Sequence, residues 1–284
     1  MITRLFSRLS VLFLVLLISA CSTFSFIFER LDWFTLWRLD KMFDLTEEQE
    51  DQIQPDLIAI QEWMRNEGFP ETISRLERLL EIWQADESES AYLYLSSSID
   101  SLNKLYLNAM KEAVVKFSMR LTEENAQQYR HYSNKQQKEW FESTHSIEAR
   151  IEHEIERFED WFGHLSDQQV KLIENRASLA KNELQIRIAN HISWREAYID
   201  AALKRDTTLI SAWLDDLSIF WTPEYTQLKQ HNDKQRQTLV FELFPTLTSK
   251  QKRHARKKVE DWLEKLHDIS HTLTDEKIGR NHAP

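Results

Sequence analysis

The sequence predicts an all-α protein, an elongated bundle of long helical hairpins arranged as two related halves. Three observations predict it. The 284 residues include 3 Gly and 5 Pro, too few turn formers for most strand-rich folds. From Phe24 onward nearly every segment carries apolar residues at helical spacing, as Ile173, Ala177, Ala180, Leu184 and Ile188 illustrate. Gly68, Gly163 and Gly279 all fall at breaks between such segments, as do Pro70, Pro223 and Pro245. A hydrophobic fraction of 42% with 10 Trp supplies a sizeable core, so the body is not a disordered chain. A net charge of −10 disfavours nucleic-acid binding, which needs a basic face to neutralise phosphates.

Residues 1–20 read as a signal peptide. Arg4 and Arg8 make the positive leading region, Val11 to Ile18 a short apolar stretch, and Ser19 and Ala20 are small residues before Cys21. The stretch is too short to span a bilayer as a stable helix. Cys21 is the only cysteine, which excludes intrachain disulfides and cysteine-based zinc clusters. Ile18-Ser19-Ala20-Cys21 resembles a bacterial lipobox. The resemblance implies diacylglycerol on the Cys21 sulfur, cleavage before it and acylation (palmitate) of the new amino terminus. Two or more acyl chains anchor stably, at ~0.8 kcal/mol per buried CH2. Ser22 in place of an Asp favours the outer over the inner membrane.

Residues 21–44 form the lipidated start and an aromatic-rich first helix. Helices are expected at about 31–43, 46–67, 71–86, 88–118, 122–162, 166–205, 207–219, 223–243 and 248–271. The segment 122–162 would run ~60 Å unbroken, and Ser143-Thr144-His145-Ser146 is where it would kink or split. Residues 273–284 are polar and expected to fray. Trp33, Phe34, Trp37, Leu39 and Phe43 on the first helix fit either an interfacial helix near headgroups or packing into the bundle. The second fits better, because Asp32 and Asp40 accompany Arg38 and Lys41.

A helix-start pattern recurs four times, as Leu45-Thr46-x-x-Gln49, Leu121-Thr122-x-x-Asn125, Leu165-Ser166-x-x-Gln169 and Leu247-Thr248-x-x-Gln251. In a capping box the Thr or Ser side chain accepts from the third amide of the helix, and the Gln side chain accepts from the Thr or Ser amide; the preceding Leu staples the first turn. By average usage the Gln form should arise about 0.1 times in such a chain. Leu45 to Leu121 is 76 residues and Leu165 to Leu247 is 82, so the chain divides into halves at 45–163 and 164–272. An apolar run precedes the second pattern of each half, Val114-Val115-Lys116-Phe117 and Leu239 to Phe244, and a Trp follows, Trp140 and Trp262.

Paired LTxxQ motifs on long helices resemble the Spy/CpxP family of periplasmic stress proteins. That resemblance implies an all-helical cradle, with chaperone or stress-sensing activity. Ser166 and Asn125 depart from the pattern, and the acidic balance contrasts with the basic working face of that family. The opening Phe28-Glu29-Arg30-Leu31-Asp32-Trp33, Trp37, Leu39-Asp40 and Phe43-Asp44-Leu45-Thr46 is similar to an uncharacterised Gram-negative lipoprotein family, a domain of unknown function. The likeness spans about the first fifth of the chain and implies a location without an activity.

Candidate chemistry is sparse. His267 and His271, four apart with Glu264 a turn earlier, have metal-pair spacing without an identifiable third ligand. Glu142 and His145 have the spacing of di-iron bundles, but no second such pair exists. Glu148, Glu152 and Glu156 with Arg150 and Arg157 read as a solvated, salt-laced face. No phosphate loop, nucleophile elbow or cofactor motif is present. The expectation is a non-enzymatic binding module, lipid-anchored on the periplasmic face of the outer membrane, either chaperone-like with protein clients or docking one envelope partner. Divalent-metal binding is the outside alternative.

Overall fold

The computed structural model describes residues 28–84, 88–144 and 146–280. Residues 1–20, which the sequence reads as a signal peptide, Cys21, His145 and residues 281–284 therefore lie outside the described residues. Among the described residues there are eleven α-helices and no strand. They are α1 (Leu31–Phe43), α2 (Glu47–Trp63), α3 (Phe69–Gln84), α4 (Ser88–Arg120), α5 (Glu123–Thr144), α6 (Ile147–Phe162), α7 (Asp167–Leu179), α8 (Leu184–Leu203), α9 (Thr207–Asp215), α10 (Pro223–Leu243) and α11 (Ser249–Arg280).

Several expected boundaries move, each for a local reason. Gly68 and Pro70 do not separate two helices. A π-turn over Met64–Gly68 carries α2 into α3, with the Phe69 amide reaching back to the Met64 carbonyl. The wider turn accommodates the missing Pro70 amide. Gly68 is required by close approach, since a Cβ there would sit 2.9 Å from the Tyr106 hydroxyl. The long segment 122–162 splits, and Ser146 caps α6 by accepting from the Ala149 amide at 3.0 Å. The expected helix 166–205 is two helices, because Ala180 is extended (φ −69°, ψ 128°). The helix expected over 207–219 stops at Asp215. Asp216 then accepts from the Ser218 amide at 2.8 Å and starts a 3-10 turn over Leu217–Phe220. The last helix continues past 271 to Arg280, through Gly279.

Two sets of helix contacts run parallel, one in the stretch expected as the first half and one in the stretch expected as the second. In the first, α1 lies along α5 and α2 along α4; in the second, α6 lies along α11 and α7 along α10. Each crossing has its own core. Phe43, Leu121, Ala126 and Tyr129 anchor the first, where Phe43 stacks on Tyr129 at 4.6 Å and meets Phe117 edge-on at 5.0 Å. Phe158, Phe162, Leu165, Ile173, Leu243 and Leu247 anchor the second.

The connecting helices cross between halves. Helix α3 packs on α11, and α8 and α9 pack on α4. Tyr198, Ile199, Ala202, Ile210 and Trp213 of α8 and α9 thus complete the first core, while Trp83 and Tyr92 of the first half lean on the second. A third core, of Phe69 and Ile73 with Val259, Leu263, Leu266 and Ile269, joins α3 to α11.

Candidate functional site

The four helix-start patterns meet in two pairs. At each start the hydroxyl accepts from the third amide: Gln49 N to Thr46, Asn125 N to Thr122, Gln169 N to Ser166 and Gln251 N to Thr248, all at 3.3 Å. The amide oxygen of that third residue accepts back from the hydroxyl residue's own N–H at 3.0, 3.0, 2.9 and 2.9 Å. These side-chain amides then face one another. Gln169 donates to Gln251 at 3.1 Å and Gln251 to Gln169 at 2.8 Å. Gln49 donates to Asn125 at 2.8 Å, while Asn125, one methylene shorter, spends its NH2 group on the Phe43 and Asp44 carbonyls at 2.9 and 3.0 Å.

Each remaining NH2 donor reaches the backbone just before the opposite pattern: Gln49 to Arg120 O, Gln169 to Thr246 O and Gln251 to His164 O. All four amides are buried, with their hydrogen bonds supplied from within the pair. The chain turns into each first pattern through a positive-φ residue, Asp44 (φ 54°) and Gly163 (φ 74°). This constellation is a fastening between helices, with no group turned outward for chemistry.

A cleft of about 310 Å3 opens where α7 breaks from α8. The break is held from α10: Asn232 accepts from the Lys181 amide and donates to the Lys181 carbonyl, both at 2.9 Å. Asn182 caps α8 at the Leu184 amide, 3.0 Å away. Five cationic side chains line the cleft, Arg150, Arg176, Lys181, Arg187 and Arg236, against the carboxylates of Glu154, Glu183 and Asp233.

Arg176 is bound by both oxygens of Glu242; that partner holds the Glu242 carboxyl below its ordinary value and the guanidinium above its own. Arg187 stacks over Trp140 at 4.6 Å. Arg236 spans Glu154 at 3.9 Å and Asp233 at 3.6 Å. Two polar atoms in the lining are buried with no partner, Arg150 Nε and Gln235 Oε1. A buried donor and acceptor without partners are costly, and both belong to residues of the cleft wall.

The side chain of His271, like His145, lies outside the described residues. His267 lies 3.6 Å from Glu77 on α3, and among the described residues no three His, Cys, Asp or Glu side chains cluster to hold a metal ion. Packing into the bundle holds for Leu39, Met42 and Phe43 but not for Trp33, Phe34 and Trp37, which are 60%, 46% and 44% exposed. No described helix is long and apolar enough to cross a membrane.

The sequence model of one family matches residues 41–226, well over half of the chain. The chain belongs to DUF6279, a family of unknown function. The match takes in the patterns at Leu45, Leu121 and Leu165, reaching far beyond the first fifth of the chain. No curated protein and no solved structure matches this DUF6279 chain.

Sequence reasoning missed the cleft. Its lining comes from α5, α6, α7, α8 and α10 and the turn between α7 and α8, so no contiguous motif announces it. The sequence places Arg150 on a solvated face, and only tertiary packing buries its Nε.

Proposed function

We propose that this DUF6279 chain is a lipid-anchored, non-enzymatic binding module of the bacterial cell envelope. It stands on the periplasmic face of the outer membrane and docks one defined partner by an acidic group. The anchor rests on the sequence, where the Arg4 and Arg8 leader and apolar stretch run into Ile18-Ser19-Ala20-Cys21. The docking reading rests on the cleft, above all on the five cationic side chains that line it. A carboxylate from a partner meets this cationic lining in a charge-assisted bond. The lining offers no thiol or hydroxyl for nucleophilic attack, which fits recognition better than turnover.

A second reading, a chaperone-like holder of unfolded clients akin to Spy/CpxP proteins, draws support from one exposed apolar segment. Leu209, Leu217, Ile219 and Trp221 are 40%, 40%, 53% and 37% exposed. A photo-crosslinking residue at Ala180, on the cleft wall, separates the two readings in the native host. Docking yields one discrete adduct that Arg150→Gln with Arg236→Gln abolishes at unchanged thermal stability. Many adducts indifferent to those changes, with broad suppression of aggregation of unrelated proteins, establish the holder instead. No adduct at all overturns the cleft.

A further inference from the structure

We propose that the exposed face of α1 is a membrane contact. Trp33, Phe34 and Trp37 seat in the headgroup layer of a phospholipid surface, and Arg38 and Lys41 meet its anionic lipids. The inference is independent of the cleft and shares with the reading above only the anchor at Cys21.

Positions 33, 37 and 41, with 34 and 38 beside them, fall on one stripe of a helix. All five residues are exposed. Phe34 and Trp37 lie 5.6 Å apart, and Lys41 Nζ sits 5.4 Å from the Trp37 ring. The opposite side is committed to the fold, for Phe43 is buried and Leu39 and Met42 pack against the first core.

Of the acidic residues that argue from sequence against a membrane face, Asp40 borders the Trp33–Trp37 stripe and Asp32 lies away from it. Asp32 and Asp40 are half-buried, and Asp40 accepts from the Leu45 amide at 3.0 Å. Within α1 the exposed set is aromatic and cationic, on a chain of net charge −10, and the exposed carboxylates nearest to it, Glu29 and Asp44, lie just beyond its two ends. Contiguous large aromatics left in water mark an interaction site. Trp rings beside Arg and Lys suit a headgroup layer, apolar on one side and wet on the other.

Chain length selects the occupant. Six residues lie between Cys21 and Phe28, a reach of at most ~25 Å over the seven steps, and a helix the length of α1 adds ~20 Å. An acylated Cys21 therefore keeps this face within reach of the lipid surface.

The test uses the full-length processed protein, reconstituted in vesicles of phosphatidylethanolamine and phosphatidylglycerol that carry brominated acyl chains as Trp quenchers. Two of the 10 Trp are on the face, so wild type is expected to lose up to about a fifth of its emission. Trp33→Phe with Trp37→Phe, which keeps the face apolar, loses none. Arg38→Glu with Lys41→Glu reduces the quenching several-fold, as does replacing phosphatidylglycerol with phosphatidylcholine. Equal fractional quenching in wild type and the Phe variant overturns the proposal. So does an unquenched wild type, the result expected if a protein covers the face. Emission is read before an alkaline carbonate wash; protein lost in that wash reports failure of the anchor rather than of the face.

Discussion

Gln251 shows how much of this fold hangs on single side chains. Its oxygen accepts from the Thr248 N–H and from Gln169, and its NH2 group donates to His164 O and Gln169. Gln251→Leu strands these partners in a buried setting, at a cost of about 3 kcal/mol, read as a lower urea midpoint with unchanged slope. Replacing both amides, Gln169→Leu with Gln251→Leu, removes donor and acceptor together, so the double variant is expected to cost less than the sum of the singles. Additive losses would show that the two do not act as a pair. The capping half of this arrangement was legible, because a box needs only residues three apart. The pairing was not, because local spacing says nothing of which amide another faces. Tyr198 carries a second residue-scale consequence. Burial pushes its hydroxyl up to about 12, against a smaller opposing effect of its 2.8 Å hydrogen bond to Ser118. The unfolded chain releases this proton near pH 10 while the native one keeps it, so the stabilisation is complete below pH 10 and is lost as pH rises towards 12. The loss is about 3 kcal/mol, and Tyr198→Phe should flatten that part of the curve in alkaline urea titrations.

At the scale of elements, the existence of helices was legible and their breaks were not. α1 and α10 fall at the expected residues because a proper stop and a Thr222-Pro223 start bound them locally. The stripe Ile173, Ala177, Ala180, Leu184, Ile188 reads as one helix, with neither Gly nor Pro between Ala180 and Glu183. It breaks because Asn232, 51 residues away, takes both backbone groups of Lys181 as a neighbouring strand would. Conversely, Gly68 and Pro70 signal a stop that a π-turn absorbs. The break has a role, since it opens the cleft. Asn232→Ala is therefore expected to raise amide exchange at Lys181 by at least tenfold, with exchange in the α4 and α11 cores unchanged. Unaltered protection at Lys181 would mean the elbow is held by packing alone.

For the molecule as a whole, the motif spacing separates two crossings, yet the connecting helices bind each to the other. Amphipathic patterning specifies that α3 buries a face; it does not specify that the face meets α11 of the opposite half. The same holds for α8 and α9, whose Tyr198, Ile199 and Ile210 fill the core beneath Leu121. At their corner Arg205 donates to the Leu121 carbonyl at 3.0 Å, tying the second half to a helix start of the first. Neither crossing keeps its full core if the other unfolds, so heat or urea should melt the chain in one transition, with circular dichroism and Trp emission coincident. The joining core gives the sharper test. Ile269 is 2% exposed, on α11 in the contact with α3. Ile269→Ala removes buried apolar volume at a cost of about 2–5 kcal/mol. If the crossings are coupled through this core, the variant melts earlier and still in one step, and exchange rises together in α5 and α7. Two resolved steps, with only the α3–α11 region loosened, would mean that each crossing is stable alone and that the exchanged helices add little to cohesion.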